Sequence, residues 1–125
     1  MMNEALKALF PAIVLAEGES YAGIMIGDNG ESYHLINTSH QLEAATWKEA
    51  MGWAKELGLA LPNRKEARLQ WVNTQSDFEE DWYWTAEEYA SGSGCAWTQE
   101  FDYGGQSFSL KTYEFRARAV RRLPI

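Results

Sequence analysis

The stretch from Trp82 to Arg122 limits the fold more than any other part of the chain. It reads WYWTAEEY, then a Ser/Gly link, then CAWTQEFDYGGQSFSLKT, then YEFRARAVRR. Short runs rich in aromatic and β-branched residues are separated by Ser, Gly and Asp, which is the composition of strands joined by tight connections. Asp102-Tyr103-Gly104-Gly105 lies between two of these runs. Its glycines accept positive φ without a Cβ clash, so a hairpin turn is expected there. Alternation places Ala96, Thr98 and Glu100 on one side of their strand and Trp97, Gln99 and Phe101 on the other. The last run, Arg116 to Arg122, alternates arginine with small apolar residues. That pattern predicts a strand with one face in the core and its arginines on the other.

The earlier half supplies a hairpin and two helices. Ser20 to Ile26 and Glu31 to Ile36 flank Gly27-Asp28-Asn29-Gly30, a strong turn signal, and predict an antiparallel hairpin. His34 falls inside the second strand and His40 in the loop after it. Thr46-Trp47-Lys48-Glu49 is a capping box opening a helix that runs to about Leu57, where Gly58 closes it. Trp47, Ala50, Met51, Ala54 and Leu57 share one face at helical spacing, with Trp53 off that stripe. Asn63 and Glu66 form a second capping pair for a helix from about Arg64 to Asn73. Met2 to Leu9 has the spacing of two helical turns ended by Pro11. Residues 1–17 therefore read as an N-terminal packing segment and residues 18–125 as a single domain. Hairpin, two helices and then a run of strands is an α+β order with an antiparallel sheet.

Several of these residues also carry a family resemblance. They are Leu61-Pro62-Asn63-Arg64-Lys65-Glu66, Tyr83-Trp84-Thr85, Ala96-Trp97, Phe101-Asp102-Tyr103-Gly104 and Ala117-Arg118-Ala119-Val120-Arg121. Together with Tyr21-Ala22-Gly23-Ile24 and Tyr33-His34-Leu35-Ile36, they resemble the bacterial and phage domain-of-unknown-function family 1566. The likeness spans roughly residues 18 to 122 and implies a C-type-lectin-like fold. It also implies a phage or prophage setting, in the cytoplasm of a bacterial host or on a virion. Formylglycine-generating proteins share that fold and act through paired cysteines. Here Cys95 is the single cysteine, so that activity is not expected to carry over.

Charge and motif content narrow the function. The chain carries a net charge of −7. That opposes nonspecific binding to nucleic acid or to an anionic membrane, and it suits docking on a basic protein surface. The apolar stretch Ala8 to Ala16 is short and preceded by Glu4, unlike a signal peptide. No run approaches the ~20 apolar residues of a membrane span. Asp77, Glu79, Glu80, Asp81, Glu87, Glu88, Glu100 and Asp102 crowd the second half without the spacing of a calcium loop. No HxxxH or CxxC pair supports zinc, and no serine sits in a G-x-S-x-G elbow. No cofactor, metal or catalytic residue is therefore assigned. Arg116, Arg118, Arg121 and Arg122 read as partners of the acidic cluster.

Aromatic content, at 14%, is the functional signal, and most of it lies in the last third. Trp and Tyr are preferred interface anchors because they combine area with a polar handle. Tyr83, Tyr89, Trp97, Tyr103, Gln106 and Tyr113 are the candidate contact residues for a protein or glycan ligand. The competing expectation for the same rings is that they build the core. The expected function is a non-enzymatic binding module. The alternative is a small acidic phage protein that inhibits a host factor by covering its basic nucleic-acid-binding surface. Self-association into a homo-oligomer stays open.

Overall fold

The computed structural model describes residues 13–125. The predicted helix over Met2–Leu9 lies outside the described residues, as does most of the N-terminal packing segment. At that segment's described end, Val14 and Leu15 are exposed. The elements are β1 (Ser20–Ile26), β2 (Ser32–Ala45), α1 (Trp47–Glu56), α2 (Arg64–Thr74), a 3-10 turn (Gln75–Asp77), β3 (Trp82–Glu88), β4 (Cys95–Glu100), β5 (Gln106–Leu110) and β6 (Phe115–Pro124). This is an α+β architecture with one six-stranded sheet and two helices.

The strand order is β1-β2-β6-β3-β4-β5. The last strand thus enters the middle of the sheet and joins the N-terminal hairpin to the β3–β5 meander. Its neighbours run in different senses: β6 is antiparallel to β2 but parallel to β3, where Tyr83 meets Arg116. The sheet is therefore mixed, which corrects the antiparallel expectation. Turn signals report only that a strand reverses. They carry no information on β6 passing β4 and β5 to reach β2, a choice made by burial. β2 also continues to Ala45 through two register shifts against β6, so His40 lies in that strand and not in a loop.

Both helices begin as their sequences predict. Thr46 caps α1 and Asn63 caps α2, each with its reciprocal glutamate at N3. Past the end of α1, Gly58 adopts a φ of +72°, the left-handed conformation that glycine tolerates best. Leu57 falls on the apolar stripe by spacing, but as the C-cap it is exposed. Trp53, off the stripe, packs against the edge of the core.

The helices flank two sets of core residues. Ala50 and Ala54 of α1 pack with Ala45, Leu61, Trp84, Ala96, Ala117 and Ala119. The alanines leave room for the fully buried Trp84 indole, whose Nε1–H donates to Ala45 O at 2.8 Å. The alternate β6 residue Val120 packs with Ala22 and Leu35 under Leu69 of α2. Phe78, Tyr83 and Phe101 form a third group beside Trp71.

This second layer overturns the expectation of an exposed arginine face on β6. Arg118 is buried and donates to three main-chain carbonyls: Thr38 O at 2.8 Å, Asp77 O at 2.6 Å and Gly18 O at 3.2 Å. Arg122 makes a two-pronged bond to Glu66 of α2, both contacts 2.7 Å. Arg116 pairs with Asp81 and Arg121 with Glu19. Of the carboxylates that pair with these arginines, only Asp81 belongs to the acidic cluster. The arginines tie α2 and the flanking loops to the central strand, so they are structural cations.

Candidate binding site

The predicted contact residues do not form one patch. Tyr83 is buried: its ring lies edge-on to Phe78 and Phe101, at centroid separations of 5.2 and 4.9 Å. Its hydroxyl accepts the Glu79 N–H at 3.0 Å, and burial holds its pKa above the ordinary tyrosine value. It faces inward because position 83 follows the same alternation as Arg118 and Val120 across the sheet. A ligand therefore cannot reach it, and Tyr83 is removed from the site. Tyr103 is 85% exposed at the tip of the β4–β5 turn, where its N–H bonds to the Glu100 carboxylate. Tyr113 sits on the β5–β6 turn, edge-on to Phe115, which in turn meets Trp84. These two exposed tyrosines stand on different turns.

Tyr89, Trp97 and Gln106 are brought together. Trp97 of β4 pairs with Phe108 of β5, so both side chains lie on one face of the sheet. The Phe108 ring stands edge-on to the indole at 5.7 Å, and Tyr89 stacks on Phe108 at 3.9 Å with 23° between the planes. Tyr89 and Phe108 remain 46% and 47% exposed. Tyr89 is held there by its N–H bond to Cys95 O, across the tight Ser91–Gly94 connection. Leu110, two residues on along β5, is exposed as well.

The other half of the site comes from the start of α2. The Arg64 guanidinium lies over the Trp97 ring, 3.5 Å from its centroid. Its Nε–H donates to Gln106 Oε1 at 3.1 Å. Gln106 is itself fixed, because its Nε2 donates to Arg64 O at 2.8 Å and to Gln99 Oε1 at 2.9 Å. Gln99, fully buried, donates to Glu100 O and Gly105 O. A chain of amides rooted in the core thus orients a stacked guanidinium. Beside it opens a cavity of about 430 Å³ lined by Arg64, Lys65, Arg68, Glu87 and Gln106. Glu87 is engaged as acceptor of the Arg64 N–H at 2.9 Å. Lys65 has a long, exposed contact with Asp28 at 3.5 Å, of a kind that contributes little. Arg68 has no bonding partner among the described residues. Three cations and one carboxylate give this corner a positive field inside an acidic protein.

Phe108, Arg64, Lys65, Arg68 and Glu87 were not assigned to the site from sequence. Phe108 was readable in principle, since Gln106, Phe108 and Leu110 alternate on one face. Arg64 carried no signal beyond its place at a helix start, because nothing local tells that α2 opens above Trp97. His34 is buried in β2, with Nδ1 2.7 Å from the Tyr21 hydroxyl, and lies in neither half of the site. Among the described residues no group of three or more His, Cys, Asp or Glu side chains is placed to hold a metal ion. No described helix is long and apolar enough to cross a membrane.

The chain matches no family model and no curated protein.

Proposed function

We propose that this chain is a non-enzymatic binding module of phage or prophage type, with a C-type-lectin-like fold, that holds a protein or glycan ligand on the face made by Tyr89, Trp97 and Phe108. The observation that carries this reading is the half-exposed Tyr89–Phe108 stack braced by Trp97. Ordering two aromatic rings at the surface has an entropic cost, and solvent contact alone returns little for it. Rings held in advance bind with less of that cost left to meet. The lectin-like assignment rests on the sequence resemblance, and the α+β order with β6 returning beside the N-terminal hairpin is compatible with it.

The acidic-inhibitor reading has one observation in its favour: Asp77, Glu79 and Glu80 are exposed on the link after α2. A single experiment separates the two. The wild-type chain and a Tyr89→Ser/Phe108→Ser variant are used as bait in lysate of a bacterial host, at low and at high salt. A partner retained by the wild type at high salt and lost by the variant supports the aromatic face. A partner kept by both baits and released by salt supports the acidic surface instead, because exposed charge pairs are screened beyond about 10 Å at 0.1 M salt.

A further inference from the structure

Resting on the aromatic-face reading, we propose that the natural ligand is a protein segment lying extended along β5, with a carboxylate seated on Arg64 in the adjoining cavity.

The guanidinium is the first reason. Its flat face is on Trp97 and its Nε is taken by Gln106, so its Nη groups form the edge left for an incoming acceptor. A planar fork held in this way suits the two oxygens of a carboxylate. Holding an arginine between an indole and a buried amide chain spares most of the rotamer entropy a free side chain would lose on binding. Lys65 and Arg68 line the same cavity and add positive charge. Glu87 faces the same space from β3 and disfavours a multiply charged anion, so a single carboxylate is the better match.

The second reason concerns the source of that carboxylate. β5 is the last strand of the sheet, so among the described residues one backbone edge is left over by its pairing with β4. Such an edge takes up an extended polypeptide through main-chain hydrogen bonds, with alternate side chains read by pockets. Gln106, Phe108 and Leu110 follow one another on the face shared with the cavity, a spacing of roughly 7 Å per pair of residues. Along that line the surface offers a cationic cavity, then an exposed ring, then an exposed leucine. A polypeptide supplies an acid followed by two apolar side chains at the same repeat. A sugar polymer supplies the acid without the apolar groups.

The test uses defined peptides and the whole chain. Capped Glu-Ser-Leu-Ser-Phe, and the reversed order to allow for either strand direction, are titrated into ¹⁵N-labelled protein. The signals followed are the Trp97 indole N–H and the Gln106 side-chain amide. The expected result is saturable movement of both signals, with the Gln-for-Glu peptide at least about tenfold weaker. Arg64→Gln removes the difference between the two peptides, while Arg64→Lys restores only part of it. Phe108→Ala weakens both peptides by the same factor. Thermal melts of each variant check that the fold is kept.

Equal affinity of the Glu and Gln peptides overturns the carboxylate assignment and leaves the aromatic face standing. A stronger response to trigalacturonate than to either peptide overturns the protein source in favour of an acidic glycan. No response to any peptide overturns the proposal, and the lysate experiment above then decides whether the aromatic face fails with it.

Discussion

Replacing Arg122 with methionine isolates the ion pair with the most buried carboxylate among the described residues. Glu66 is fully buried, and its carboxylate takes both prongs of Arg122, the Tyr33 hydroxyl at 2.8 Å and the Asn63 N–H at 2.8 Å. Burial raises its pKa, but the Arg122, Asn63 and Tyr33 bonds more than offset this, so the carboxylate sits below its ordinary value. Methionine fills much of the arginine's volume and leaves Glu66 charged without its cation. Removing one partner of a fully buried pair costs about 3–5 kcal/mol. The Arg122 side chain is 38% exposed, so water screens part of the loss, and about 2 kcal/mol is expected at pH 7. The pH dependence follows from the sign of each shift. In the wild type the folded pKa is depressed, so the pair's contribution is present above the unfolded carboxylate pKa and is lost as pH falls through the folded one. In the variant, the guanidinium no longer offsets burial, so the folded pKa rises and protonation relieves part of the deficit as pH falls. The deficit should therefore be large at pH 7 and shrink towards pH 4. Adding Glu66→Gln should recover roughly 1 kcal/mol of the loss, because a neutral amide needs no cation. Urea unfolding of the two singles and the double at both pH values measures all of this. A deficit under about 0.5 kcal/mol at pH 7, or one equal at both pH values, would refute the argument.

Three other changes probe the frame of the site. Gly104 has a φ of +86°, and a Cβ there would fall 2.5 Å from the Trp71 ring. Gly104→Ala should cost at least about 2 kcal/mol, visible in denaturant melts and in a shifted Trp71 fluorescence; an unchanged midpoint would sink it. Tyr83→Ala should cost about 3–5 kcal/mol while Tyr103→Ala stays within about 0.5, since one ring is buried and the other 85% exposed. Similar midpoints for the two would put Tyr83 back at the surface. Asn63→Ala removes the cap of α2, whose side chain accepts the Glu66 N–H at 2.8 Å. A loss of about 1 kcal/mol is expected. It should be accompanied by weaker ordering of Arg64, read as increased exchange broadening of the Trp97 indole signal; a loss of stability with that signal unchanged would separate the cap from the site.

What the residue order alone determined here was local. The hairpin around Gly27–Gly30, both capping boxes, the Gly58 stop and the turn at Asp102–Gly105 follow from φ limits and from unsatisfied backbone groups. Those forces act within a few residues. Everything decided over longer range was settled by burial. The return of β6 between β2 and β3 made the sheet mixed and gave much of the arginine side of that strand a cover, so Arg118 became an internal tie and the part-exposed Arg122 a tie to the buried Glu66. The same long-range pairing sent the Tyr83 ring inward and left Tyr89 half outside, although both stand in one aromatic run. It also carried the start of α2 over β4, which set Arg64 on Trp97 from 33 positions away along the chain. No periodicity encodes that meeting. It exists because two faces of one sheet each need a helix, and the one ending near β3 lies with its first residue above the indole.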